Sequence, residues 1–174
     1  QMLFGSDRFA IFIKEVAALS PEQQVARVVA KLKELIVIEA VFEDKQVKTD
    51  LFKKLDQICS PQTILATNTS SFYVRDFADK TSRPDRFVGL HYFYHPAKNR
   101  LLEVIPHSGT SPETVAKSLL AAKLHGKTSI LVKDAPGFAV NRFFVPFLNE
   151  AARMLEEGLA DIPTIEAAAK QAFK

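Results

Sequence analysis

The chain has one cysteine, Cys59, and six glycines, scattered at 5, 89, 109, 126, 137 and 158. A lone cysteine excludes an internal disulfide framework and fits a reducing compartment. It reads as an inert residue near a helix end. Glycines so dispersed cannot form a G-x-G-x-x-G phosphate loop. No apolar stretch reaches the ~18 uninterrupted residues of a membrane span, because charges break every hydrophobic segment. The stretch Gln1 to Ala18 lacks the basic start, apolar core and cleavage site of a secretory signal. A soluble, cytoplasmic protein without a membrane partner is expected. Runs of like charge are also missing: 23 basic and 20 acidic side chains are interspersed, which argues against a nucleic-acid tail. The chain starts at Gln1 rather than Met, as a fragment or a processed start would.

Hydrophobic residues make up 47% of the 174, enough for one core or one domain plus part of another. Ser20-Pro21-Glu22-Gln23 combines a cap, proline at the first helical position and Gln three residues on, which predicts a helix over 21–34. The apolar, β-branched run 35–42 predicts a central parallel strand. Val47, Leu51, Leu55 and Ile58 recur at helical spacing and predict an amphipathic crossover helix. Strands follow at 63–66, 86–93, 101–105 and 129–132, with helices over 74–80 and from Ser111 to a stop at Gly126. This alternation predicts an α/β fold with a mainly parallel sheet and flanking helices. The polar stretch Thr67-Asn68-Thr69-Ser70-Ser71 falls at a strand's carboxyl end, where ligands bind in open α/β sheets. After Asp134-Ala135-Pro136-Gly137, a helix over 138–157 and a second over 162–173 are expected. The first is apolar around much of its circumference, more than a two-helix pair can cover.

His91 and Glu103 sit on two predicted strands joined by the turn-like Pro96-Ala97-Lys98-Asn99. Such strands can set a carboxylate beside an imidazole, holding the ring and stabilising its charged form. A pair of this kind accepts and returns a proton, worth roughly 10²–10⁴ in rate. Spacing alone favours the plainer reading of a partly buried strand histidine and a strand-edge charge. His95 with His91 suggests no metal site, since residues four apart on a strand are separated by roughly 13 Å.

Five ordered motifs decide between these readings: VIEAVFED at 37–44, ILATNTSS at 64–71, DRFVGLH at 85–91, LLEVIP at 101–106 and DAPGFAVNR at 134–142. In residues, order and spacing the chain resembles the 3-hydroxyacyl-CoA dehydrogenase family. The resemblance implies an incomplete Rossmann-like NAD-binding domain over 1–135 and the start of an all-α domain over 136–174. It also implies NAD as cofactor, an acyl-CoA substrate, β-oxidation chemistry and a homodimer formed through the helical domain. His91 becomes the base that takes the 3-hydroxyl proton, and Glu103 the group that orients it. Ser70 would hydrogen-bond the substrate oxygen and Asn141 would stand beside the reacting centre. Glu43, Lys48 and Asn68 would bind the cofactor, and no metal is implied.

Two departures from the family accompany these matches. Tyr94 stands where the family has an active-site asparagine, and the glycine loop that anchors NAD is missing. The alternative they favour is a non-catalytic interaction module that associates through the 138–157 helix.

Overall fold

The computed structural model describes residues 36–172 together with Ala18, Ser20 and Gln23. Ser20 N donates to Gln23 Oε1 (3.1 Å) and Gln23 N to Ser20 Oγ (3.4 Å), the reciprocal pair of a capping box. The rest of the helix expected over 21–34 lies outside the described residues.

Five strands form one sheet in the order β1 (Ile36–Glu39), β2 (Ile64–Thr67), β3 (Phe87–Tyr92), β4 (Leu101–Ile105), β5 (Thr128–Leu131). All neighbours run parallel except β3 and β4, which are antiparallel and joined by the 93–100 loop. Helices α1 (Lys45–Ile58), α2 (Val74–Ala78) and α3 (Pro112–Leu124) connect or flank the strands. Side chains alternate across a strand, so odd and even positions face different layers. Leu65, Phe87 and Ile105 pack with Phe52 of α1, Phe77 of α2 and Phe138 on one face. Ile64, Ala66, Val88, Leu90, Leu102 and Val104 pack with Ala122 of α3 on the other. His91 and Glu103 are odd-numbered and emerge on the Phe138 face.

Two expectations need correction. The strand expected over 35–42 stops at Glu39 and is the end strand of the described sheet, not a central one. It ends because the Glu39 carboxylate bends back to accept Val41 N (2.7 Å), and Asp44 then caps α1 by accepting from Val47 N (2.8 Å). The buried stripe of α1 is also rotated from the one expected. Lys48 and Phe52 are buried, whereas Val47 and Ile58 are exposed. A buried ion pair draws Lys48 inward, overriding the polarity pattern.

Beyond the sheet, α4 (Val140–Glu156) and α5 (Ile162–Ala172) adjoin, and Phe147, Leu148, Met154, Ile165 and Ala169 line an open apolar cleft on them. Phe143 and Phe144 remain exposed, as expected of a helix that two elements cannot cover. No helix among the described residues is long and apolar enough to cross a membrane.

Candidate active site

The β3–β4 register sets His91 directly opposite Glu103. His91 Nδ1 lies 2.7 Å from Glu103 Oε2, and both side chains are buried. The second oxygen, Oε1, accepts from the backbone amides of Ala139 (2.9 Å) and Val140 (3.0 Å), at the start of α4. One carboxylate thus orients the imidazole and satisfies the otherwise unpaired first amides of a helix. With Nδ1 donating to Glu103, Nε2 is left with its lone pair. Nε2 has no hydrogen-bond partner among the described residues and is not sealed from solvent. This is the arrangement required of a proton acceptor.

The turn after β5 holds the ring from one side. Gly137 has φ +72° and Phe138 φ +48°, both left-handed. For a residue with a Cβ this costs about 1–2 kcal/mol. The cost is offset by burying Phe138 in the core with its ring centroid 5.6 Å from that of His91. Phe93 covers the imidazole from another direction, at 4.4 Å. The same segment fixes two more elements. Asp134 accepts from Val74 N (2.9 Å) and Arg75 N (3.0 Å), capping α2, and Asn141 Nδ2 donates to the Ser70 carbonyl (3.2 Å).

At the carboxyl ends of β1 and β2, Glu43 anchors the loop that carries Ser70. Its Oε1 accepts from the Thr69 hydroxyl, Ser70 N (3.0 Å), Ser71 N (3.3 Å) and the Ser71 hydroxyl (3.0 Å). Burial pushes the Glu43 carboxyl up, but hydrogen bonds from Thr69, Lys48 and the Ser70 amide, with the Lys48 charge, outweigh it and hold it below its ordinary value. Lys48 Nζ bridges Glu39 Oε1 (2.6 Å), Glu43 Oε2 (3.1 Å) and the Val41 carbonyl (3.3 Å). An ammonium has three donors, and all three have partners. Glu39 Oε2 accepts from the Thr67 hydroxyl (2.8 Å). Asn68 Oδ1 accepts from Tyr92 N (2.7 Å), extending the β2–β3 seam to the residue after His91.

The structure therefore joins His91 to Glu103 and Asn141 to Ser70, two pairs brought into one assembly by the start of α4, which carries Asn141 and gives two amides to Glu103. Glu43, Lys48 and Asn68 brace its other side. Asn68 Nδ2 and the Ser70 hydroxyl have no partners among the described residues and reach solvent. Tyr94 does not enter the assembly: it is 92% exposed and its hydroxyl makes no hydrogen bond among the described residues. Glu39, Thr69, Asp134 and Phe138 are contributors that pattern reading missed. The available signal was Glu39 itself, a charge within an apolar strand, which is rare in a buried setting unless paired. No cluster of three metal-ligating side chains occurs among the described residues.

Comparison with known proteins identifies the family to which this fold belongs. Residues 12–135 match the family model of the 3-hydroxyacyl-CoA dehydrogenase NAD binding domain, and residues 137–174 match that of the C-terminal domain. The fold is similar to (S)-3-hydroxybutyryl-CoA dehydrogenase from Ralstonia eutropha, with TM-score 0.75 and 35% identity over 95% of this chain. It is similar to 3-hydroxybutyryl-CoA dehydrogenase from Escherichia coli K12, with TM-score 0.73 and 34% identity over 92% of this chain. A third relative is an NAD-dependent dismutase, 5-formyl-3-hydroxy-2-methylpyridine 4-carboxylic acid 5-dehydrogenase, with TM-score 0.76 and 31% identity over 79% of this chain. This chain spans 61%, 36% and 45% of the lengths of those three proteins. With its Rossmann-like, mainly parallel sheet followed by carboxyl-terminal helices, the chain belongs to the 3-hydroxyacyl-CoA dehydrogenase family.

Proposed function

We propose that the His91–Glu103 pair is the general base for NAD-dependent oxidation of a 3-hydroxyacyl-CoA to the 3-oxoacyl-CoA. The observation that carries this reading is the buried 2.7 Å contact with Nε2 left open. Nε2 takes the 3-hydroxyl proton as the C3–H bond gives up its electron pair, and Glu103 stabilises the imidazolium that forms. Glu103 can hold that charge without moving, because two α4 amides already fix its other oxygen. The free Ser70 hydroxyl donates to the substrate oxygen. Asn141 keeps the Ser70 loop against α4 through the Ser70 carbonyl.

The donor set at the β1 and β2 ends fits a dinucleotide. Asn68 Nδ2 is an open donor, and the Glu43–Lys48 pair forms a rigid wall rather than free hands. Bound there, NAD supplies the acceptor for a hydride. The division near residue 135, the acyl-CoA substrate and a homodimer through the exposed α4 face belong to the same proposal.

The experiment is NADH consumption with acetoacetyl-CoA by the 174-residue chain, after circular dichroism shows it folded. Turnover should fall about 10²–10⁴-fold in His91→Ala. Near-normal turnover in that folded variant removes His91 from its role. The exposed phenylalanines of α4 favour a second reading, an interaction module without turnover. A folded but inactive chain that light scattering shows to be associated would support it.

A further inference from the structure

Ser70 is held by its backbone from two sides and left open at its side chain. Its carbonyl accepts from Asn141 Nδ2 (3.2 Å), and its amide donates to Glu43 Oε1 (3.0 Å). Its neighbours are pinned in the same way. Thr69 N donates to the Thr67 hydroxyl (3.3 Å), which in turn donates to Glu39 Oε2 (2.8 Å). The Thr69 hydroxyl donates to Glu43 Oε1 and accepts from Phe72 N (3.1 Å). Ser71 sends both its amide (3.3 Å) and its hydroxyl (3.0 Å) to that same Glu43 oxygen. A turn of small polar residues, 26 to 28 positions away in sequence, is thus shaped by one carboxylate.

Counting donors decides what Glu43 can still do. An ionised carboxylate offers about four acceptor sites. Four donors reach Oε1, and Lys48 Nζ lies 3.1 Å from Oε2. The protein's own groups therefore fill the carboxylate and leave no site for a cofactor hydroxyl. Lys48 is equally taken up: its side chain is 1% exposed, and its ammonium meets Glu39, Glu43 and the Val41 carbonyl.

We propose that Glu43 is a positioning residue, which aims the Ser70 hydroxyl at the substrate oxygen by clamping the 69–71 turn, and is not a ligand of the cofactor. The inference rests on the function proposed above, in which Ser70 donates to that oxygen. Displacing a catalytic group by about 1 Å can cost about 10²-fold in rate, so a clamp that touches no reactant still governs turnover.

The test is a cycle of the wild type, Glu43→Ala, Ser70→Ala and the double variant in the full chain, with Glu43→Gln beside it, each shown folded by circular dichroism. Turnover of acetoacetyl-CoA with NADH should fall about 10 to 10²-fold in Glu43→Ala. NADH affinity, read by fluorescence titration, should not change. In the Ser70→Ala background the Glu43→Ala change should cost nothing further, because a clamp acts only through what it holds. Glu43→Gln keeps an acceptor oxygen and should retain more turnover than Glu43→Ala, whereas a role through charge alone would make the two equal. Equal losses in both backgrounds, or a fall in NADH affinity that matches the fall in turnover, overturn the proposal.

Hydrogen exchange separates the clamp from the dehydrogenase reading. The Ser70 and Ser71 amides should exchange faster in Glu43→Ala, while that of Asn68, which donates to the Glu39 carbonyl (2.9 Å), should not change. A chain without turnover that shows this pattern keeps the clamp and rejects the dehydrogenase reading. Turnover that needs Ser70 but ignores Glu43→Ala keeps the reading and rejects the clamp, as does an unchanged exchange pattern.

Discussion

The sheet and the two carboxyl-terminal helices are both rich in phenylalanine, yet they treat it oppositely. Phe52, Phe77 and Phe87 are completely buried between the sheet and α1–α2, whereas Phe143 on α4 is 65% exposed. A sheet covered on both faces encloses its apolar side chains by its own topology. Two helices that meet only each other cover little: no residue of α4 or α5 is buried, so the apolar face of α4 stays open. Glu103 joins the two regions: one carboxylate oxygen orients His91 on the sheet, and the other receives the first amides of α4. The candidate catalytic pair is therefore built on the sheet but completed by the start of α4.

The contrast breaks most visibly in stability. Phe87→Ala should cost about 3–5 kcal/mol, because it opens a cavity in a closed core. Phe143→Ala should stay within about 0.5 kcal/mol. Urea unfolding of the two variants checks the pair, and equal losses would mean that α4 is as well covered as the sheet. Lys48→Met should cost about 3 kcal/mol, since it leaves the Glu39 carboxylate buried without its cation. Pairing it with Glu39→Gln in the same unfolding assay should recover much of that loss, which a purely steric defect would not allow.

A smaller effect sharpens the comparison by pH. Glu43 is held below its ordinary value of 4.5 in the folded chain. A carboxylate whose folded pKa is depressed adds stability above its unfolded value, and that stability is lost as pH falls through the folded one. The stability gap between the wild type and Glu43→Gln should be constant near neutral pH and close on acidification below about 4.5. Partial exposure of Glu43 keeps the gap small. Unfolding midpoints measured across pH 3 to 7, a range set about the ordinary carboxylate value, check it, and a gap that persists at the acid end would remove Glu43 as the source.

Much of this was legible before any coordinates. The β-branched and alternating runs placed the strands within a few residues, and Ser111-Pro112 marked the start of α3, where Ser111 Oγ accepts from Thr114 N (3.2 Å). His91 and Glu103 could be paired because a short loop between two strands permits an antiparallel register. The face of α1 was misread because periodicity scores Lys48 as a solvated charge. It cannot register the two carboxylates that arrive from β1 and from the β1–α1 turn. Tyr94 stands in sequence where the family has an active-site asparagine, yet the chain leaves the sheet after Tyr92 and turns that ring into solvent.

By itself, the sequence determined which segments are strands and helices, because periodicity, capping and turn residues act over a few neighbours, and it carried the ordered motifs by which the chain resembles its family. Only the tertiary structure decided that Lys48 is buried, that Phe138 takes a left-handed backbone to lie against His91, and that Glu103 serves an imidazole and a helix together. Those outcomes depend on groups tens of residues apart meeting in a low-dielectric interior, where an unpaired charge or amide is costly and each polar atom must find its partner.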